Sequence, residues 1–183
     1  RALLGRAQHK YERGHALVLA GGPGRGGAAR LAARAALRAG AGLVTLGCPP
    51  PAILENAAHL DAVMLRPVPD HYALTGLLED GRFSALCLGP GLGIGQPSRD
   101  LVAAALAAQR ATVLDADALT SFEGDPGTLF RLLYPGVVLT PHEGEFRRLF
   151  PDLAPDPGGG RSALDAVRAA AARAGCVVLL KGP

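Results

Sequence analysis

The 183-residue chain has no tryptophan and a single methionine, and aromatic residues make up only 4% of it. Lysine is nearly missing as well: of the 19 basic residues, all but Lys10 and Lys181 are arginine. The arginines are scattered, with no basic block and no interleaved aromatics, which argues against a nucleic-acid surface despite a net charge of +3. No run approaches the ~20 uncharged apolar residues of a spanning helix, and no basic-then-apolar leader precedes a cleavage pattern. Neither a membrane nor a nucleic acid is therefore expected as a partner. Cys48, Cys87 and Cys176 are too few and too far apart for a disulfide framework or a CxxC site. They read as buried, reduced thiols of a cytoplasmic protein. GxxxxGK[ST], HExxH and GxSxG are also absent, which removes the P-loop, zincin and hydrolase readings.

What is present is 49% apolar and 19% charged residues, a mixture that folds rather than stays disordered. The 25 glycines and 15 prolines follow no Gly-X-Y period. The length suits one domain spanning 1–183. Short apolar runs alternate with alanine-rich amphipathic segments. Strands are expected at 15–20, 43–46, 62–65, 85–88, 111–114, 137–139 and 176–180. Helices are expected at 28–39, 51–58, 71–80, 98–109, 127–133 and 162–174, with one more starting at Thr140. A proline- and glycine-rich loop is expected at 151–160. Continuous apolar strands alternating with helices predict an α/β fold, a mostly parallel sheet covered by helices on both faces.

Ligands of such sheets sit at the carboxyl ends of the strands. Five unusual segments begin there: Gly21–Gly27, Gly89–Gly93, Asp115–Asp117, Thr140–Glu145 and Lys181-Gly182. Gly22-Pro23-Gly24-Arg25-Gly26-Gly27 formally matches GxGxxG. The acidic residue that a Rossmann site places at the end of its second strand is missing from Leu46-Gly47-Cys48-Pro49-Pro50, so the dinucleotide fingerprint fails. What survives is a glycine loop at a helix N-terminus, open to an anion or equally to a plain turn. Gly91 and Gly93 free the backbone of a second loop in the same way. Thr140, Pro141 and Glu143 read as N-cap, first helical residue and third residue of a capping box. That makes Glu143 structural and leaves His142 and Glu145 for function. Asp117 suits a simple cap, whereas Asp115 is placed to orient a ligand or a hydrated magnesium ion. Lys181, at a strand end in a chain almost without lysine, suits a phosphate. Arg25, inside the first glycine loop, suits another phosphate or plain solvent.

Several blocks, taken in order, resemble the ADP-dependent NAD(P)H-hydrate dehydratase family. They are His9-Lys10 with Gly14, Gly21-Gly22, Gly27–Ala32, Leu37–Thr45, Leu88–Gly93, Leu114–Leu119, Leu139–Glu145 and Leu179–Gly182. The resemblance implies a ribokinase-like fold and repair of NADH or NADPH whose nicotinamide ring has been hydrated. ADP, or ATP, would phosphorylate the ring hydroxyl, and loss of phosphate would restore the double bond. Ala28, Gly91, Gly93 and His142 would line the hydrated dinucleotide, NAD(P)HX. Lys181 and Gly182 would begin the adenine-nucleotide loop, and Glu145 would serve Mg2+, joining Asp115, already placed for magnesium by its position at a strand end. A homo-oligomer, commonly a tetramer, is implied, as is an epimerase acting alongside, fused or separate.

The family's Gly-Thr-Gly-Asp block, which supplies an anion hole and the catalytic Asp, does not occur in these 183 residues. The chain also opens on Arg1 and stops at Pro183 just after a strand-like run. It is therefore expected to be a C-terminally incomplete domain, inactive alone, with the stretch from Arg1 to Gln8 as a linker. Three rivals stand beside this reading: a kinase of the same fold acting on a hydroxymethylpyrimidine or sugar, a non-catalytic adenine-nucleotide-binding module, and the weakened Rossmann dehydrogenase.

Overall fold

The computed structural model describes residues 10–155, 160 and 162–182. The expected linker at 1–8 lies outside the described residues, as do 156–159 of the expected loop at 151–160. The strands are β1 (His15–Leu19), β2 (Leu43–Cys48), β3 (Met64–Pro67), β4 (Phe83–Leu88), β5 (Ala111–Leu114), β6 (Val137–Leu139) and β7 (Val177–Val178). They form one sheet in the order β3-β2-β1-β4-β5-β6-β7, and every pairing is parallel. The helices are α1 (Gly27–Ala39), α2 (Ile53–Ala57), α3 (His71–Leu78), α4 (Gln96–Ala107), α5 (Asp117–Thr120), α6 (Pro126–Phe130), α7 (Glu143–Leu149) and α8 (Ala163–Ala174).

The chain order explains the layering. From β1 the sheet grows one way to β2 and β3. It then returns across to β4 and grows the other way. Right-handed crossovers in opposite directions put their helices on opposite faces. Side chains of β1 alternate accordingly. Val18 and Ala20 join Ala29 and Ala33 of α1 on one face, whereas Leu17 and Leu19 join Leu74 of α3 and Val102 of α4 on the other. All later helices follow the second direction, so Phe146 of α7 and Ala166 and Ala170 of α8 extend that same layer. Opposite them, over β7, Val177 and Leu179 stand 52% and 54% exposed. The expected α/β sheet with helices on both faces is thus what forms, with α1 and α2 covering only the β1–β3 half of their face.

Several boundaries differ from expectation, and three of the differences have a local cause. The third strand runs at Met64–Pro67 rather than 62–65, because Thr45–Cys48 of β2 sets its register. Helix α4 starts at Gln96, where Gly95 and Pro97 open its first turn. Helix α7 does not start at Thr140. The Thr140 N–H bonds the Leu114 carbonyl, the Lys181 N–H bonds the Pro141 carbonyl, and His142 bridges to Lys181, so residues 140–142 prolong the sheet.

Candidate functional site

The reversal of growth direction leaves a crevice between the carboxyl ends of β1 and β4, the place where open α/β sheets bind ligands. The two glycine loops flank it, and their backbones interlock. A Cβ on Gly21 would fall inside the shell of the Gly91 carbonyl oxygen, and one on Gly91 would meet the Arg25 carbonyl at 2.5 Å. Next along the edge, a Cβ on Gly89 would collide with the Asp115 carbonyl. The five segments picked out in the sequence therefore follow the strand order along one rim: Gly21–Gly27 after β1, Gly89–Gly93 after β4, Asp115–Asp117 after β5, His142 after β6, and Lys181 after β7.

Polar side chains hold these loops, and of them Asp117 alone is expected from the sequence to have a role, as a cap. The Gly24 N–H donates to Glu55 Oε2 at 2.6 Å, and Arg30 Nη1 donates to Glu55 Oε1 at 3.0 Å. Those two bonds, the backbone one first, pull the Glu55 carboxyl below its ordinary range. Asn56, fully buried, accepts from Arg30 and donates to the Ala52 carbonyl. Under the second loop, the Gly93 N–H donates to Asp117 Oδ2 at 2.8 Å, and Ser98 Oγ donates to the Gly93 carbonyl at 2.5 Å. Asp117 is therefore not the N-cap of α5; Ala116 takes that position. The only available signal was spacing: a second carboxylate two residues after a strand end. Glu55 gave none.

The capping box of α7 is likewise shifted. His142, not Thr140, is the N-cap, and Glu145, not Glu143, closes the box. Nδ1 of His142 accepts the Gly144 N–H at 2.9 Å, while Glu145 Oε2 accepts the His142 N–H at 2.9 Å. Pro141 has no N–H and its carbonyl belongs to the sheet, so the imidazole, a good acceptor, caps in place of the threonine. Nδ1 is thereby fixed as the unprotonated nitrogen. The ring remains 53% exposed over the rim, whereas Glu145 is 5% exposed with its second oxygen 3.4 Å from His142 Nε2. Lys181 Nζ lies 2.5 Å from Asp115 Oδ1, a half-exposed ion pair on the same rim. Arg25 is exposed and reaches across the second loop, its Nη1 3.6 Å from where a Gly93 Cβ would stand. Ala28 is exposed in the first turn of α1.

Beside the crevice lies an uncharged cleft of about 170 Å³, lined by Gly21, Gly47, Val68, Leu92 and Ser98 among others. Its largely apolar, uncharged lining suits a flat neutral ring, and the cations Arg25 and Lys181 are not part of that lining.

Comparison with known proteins bears on the whole arrangement. A family model described as NAD(P)H-hydrate dehydratase matches residues 16–183. The chain belongs to that family. It is 39% identical over 188 residues to the bifunctional NAD(P)H-hydrate repair enzyme Nnr of Thermosynechococcus vestitus, covering 95% of this chain and 34% of the relative. The same coverage holds for the Nnr enzyme of Gloeobacter violaceus, at 39% identity over 180 residues. The chain thus spans about a third of the length of the curated relatives it matches. Among solved structures, a ribokinase-like superfamily protein of Enterococcus faecalis superposes with a TM-score of 0.80 at 25% identity, covering 98% of this chain and 61% of that one. The ADP/ATP-dependent NAD(P)H-hydrate dehydratase of Bacillus subtilis, co-crystallised with ATP and Mg2+, gives 0.75 at 27% identity with the same coverage. The ribokinase-like fold follows.

Among the described residues no helix is long and apolar enough to cross a membrane. The three cysteines are free, and burial pushes the Cys87 and Cys176 thiols up to about 11.

Proposed function

We propose that residues 1–183 form the substrate-binding part of a cytoplasmic enzyme that restores NADH or NADPH from the hydrated dinucleotide at the expense of ADP or ATP. The observation that carries this reading is the single rim on which both glycine loops, His142 and Lys181 open, in a chain of this family. In this reading Ala28, Gly91, Gly93 and His142 face the dinucleotide, and the uncharged cleft takes its neutral ring. Lys181 and Gly182 begin the adenine-nucleotide site, with the ammonium aimed at phosphate.

Magnesium fits the donor set in a limited way. Among the described residues no cluster of three His, Cys, Asp or Glu side chains converges. A magnesium ion bound with nucleotide needs only one or two carboxylates, with phosphate oxygens and waters completing its shell. Asp115, 26% exposed and paired with Lys181 through Oδ1, would offer its other oxygen to that role. Glu145 enters the set only by giving up a contact to His142. The ion would neutralise charge on the transferring phosphoryl group.

His142 keeps Nε2 at the rim, 3.4 Å from Glu145 Oε1, because Nδ1 accepts backbone N–H groups. Glu145 behind it holds the ring, and a ligand oxygen would share or take over the Nε2 contact from that carboxylate. Turnover itself belongs to a Gly-Thr-Gly-Asp block, which these residues do not contain. A homo-oligomeric assembly and a cooperating epimerase are part of the same proposal.

The test is ADP-dependent recovery of dihydronicotinamide absorbance from hydrated NADH by the complete polypeptide and by residues 1–183. Turnover by the complete polypeptide only is expected. No turnover by either, or phosphorylation of a hydroxymethylpyrimidine or sugar instead, overturns the reading. Arg25→Ala, compared with the parent at low salt, is expected to weaken binding of the hydrated NADPH several-fold; equal affinities would return Arg25 to solvent.

A further inference from the structure

Two non-glycine residues among those described have positive φ. Gln109, at φ 53, directly follows the C-cap of α4, where a left-handed residue is an ordinary helix stop. Ala116 is different. With φ 45 and ψ −122 it occupies the first central position of a type II′ turn, closed by the Ala118 N–H on the Asp115 carbonyl at 3.1 Å. That position favours glycine, and a Cβ there is strained.

The strain has a geometric product. It turns two carboxylates that are neighbours but one in sequence towards opposite ends of the rim. Asp115 meets Lys181 at 2.5 Å, and Asp117 meets the Gly93 N–H at 2.8 Å. The helix that follows adds to the second grip: the Gly95 N–H reaches Ser121 Oγ at 3.3 Å, and Arg99 Nε donates to the Ser121 carbonyl at 2.6 Å. Beneath the turn, the Asp115 carbonyl abuts Gly89, so the base of the second glycine loop rests on it.

We propose that the Asp115-Ala116-Asp117 turn is a strained spacer that fixes the glycine loop facing the dinucleotide at a set distance from the lysine facing the adenine nucleotide, with Asp117 the positioning residue for Gly93. The assignment of the two ligands rests on the function proposed above; the tie between turn and loop does not. Asp117 acts through the Gly93 amide and touches no reacting atom. A glycine at position 116 would fit the backbone without strain, but it would also let the turn relax, and the loop with it.

Three variants of the complete polypeptide test this: Ala116→Gly, Asp117→Ala and Asp117→Asn. The readouts are the thermal midpoint, amide hydrogen exchange at Gly93, and affinities for hydrated NADPH and for ADP. Ala116→Gly is expected to raise the midpoint, quicken exchange at Gly93 and weaken the dinucleotide. A residue with a merely structural role does not move stability and affinity in opposite directions. Asp117→Ala is expected to cost the dinucleotide about tenfold more affinity than it costs ADP, equivalent to about 1.4 kcal/mol. Asp117→Asn, which keeps one acceptor oxygen, recovers most of that loss. Unchanged exchange at Gly93 in Ala116→Gly and Asp117→Ala overturns the spacer. So does faster exchange with unchanged dinucleotide affinity, because the turn then serves the fold alone. If the parent binds neither ligand, the proposed function falls, and exchange at Gly93 still decides whether the turn holds the loop.

Discussion

The glycine loop at 21–27 takes its bracing from the protein surface, whereas the one at 89–95 takes it from the core. Glu55, which holds the Gly24 N–H, is a surface carboxylate shared with Arg30. The second loop leans mainly on Ser98 and Ser121, 3% and 4% exposed, and on the strained turn at Ala116, with the Asp117 carboxylate on the Gly93 N–H as its one charged brace among those named. Charge–charge bracing at the surface weakens with salt and acid; neutral buried hydrogen bonds do not. The first loop is therefore the adjustable jaw of the crevice, and the second the fixed one. The two meet where Gly21 lies against Gly91.

That meeting point is the place to break both jaws at once. Gly21→Ala drives a methyl into the Gly91 carbonyl, and Gly89→Ala drives one into the Asp115 carbonyl at a backbone φ of +144. The nearest atoms opposing each new methyl are main chain, so relief requires moving backbone. Each substitution is expected to cost more than about 4 kcal/mol, at the upper end for point mutations. Urea unfolding of each variant measures it; a loss under 1 kcal/mol would mean the loops do not interlock.

The next effect separates the jaws. Ser98→Ala removes the donor to the Gly93 carbonyl inside the core and should cost about 2 kcal/mol, the penalty for an unpaired buried acceptor. The loss should be indifferent to salt. A Ser98→Ala variant as stable as the parent would place water under the second loop and make the two jaws alike.

Acid should loosen the first jaw at Glu55. The Gly24 N–H, first, and Arg30, second, depress the Glu55 carboxyl below its ordinary value of 4.5. A carboxylate depressed on folding contributes its stabilisation above the unfolded value and loses it as pH falls through the folded one. Amide exchange at Gly24, corrected for the intrinsic pH dependence, should therefore become less protected below pH 4.5. Glu55→Gln should show the weaker protection at every pH. Protection at Gly24 that is flat through this range would remove Glu55 as the brace.

The asymmetry also explains what was readable beforehand. Strand and helix alternation follows from apolar runs and alanine-rich periods, and the carboxyl-edge rule then places glycines, Asp115, His142 and Lys181 on one rim without coordinates. Local backbone chemistry misled at Thr140-Pro141, because whether Thr140 caps a helix or lengthens a strand depends on Leu114 and Lys181, distant in sequence. The bracing residues were invisible for the same reason. Gly24 and Glu55 are 31 residues apart, and Gly93 and Asp117 are 24 apart, with no local pattern to pair them. Surface acids are common, so a brace and a solvated carboxylate look identical in sequence.

The smallest expected effect sharpens the comparison most. Gly22 lies one residue from the interlock, yet a Cβ there meets nothing within 4 Å and its backbone needs no left-handed conformation. Gly22→Ala should be neutral or stabilising by up to about 1 kcal/mol, through lost freedom of the unfolded chain. Its stability, read beside that of Gly21→Ala, distinguishes a loop whose glycines serve close packing from one whose glycines serve flexibility. If the jaw must adjust to admit ligand, the same methyl should slow association while leaving the folded protein intact. Stopped-flow binding of the hydrated dinucleotide to Gly22→Ala, compared with the parent, reads that directly: an unchanged on-rate would mean that the first loop is as rigid as the second, whatever holds it.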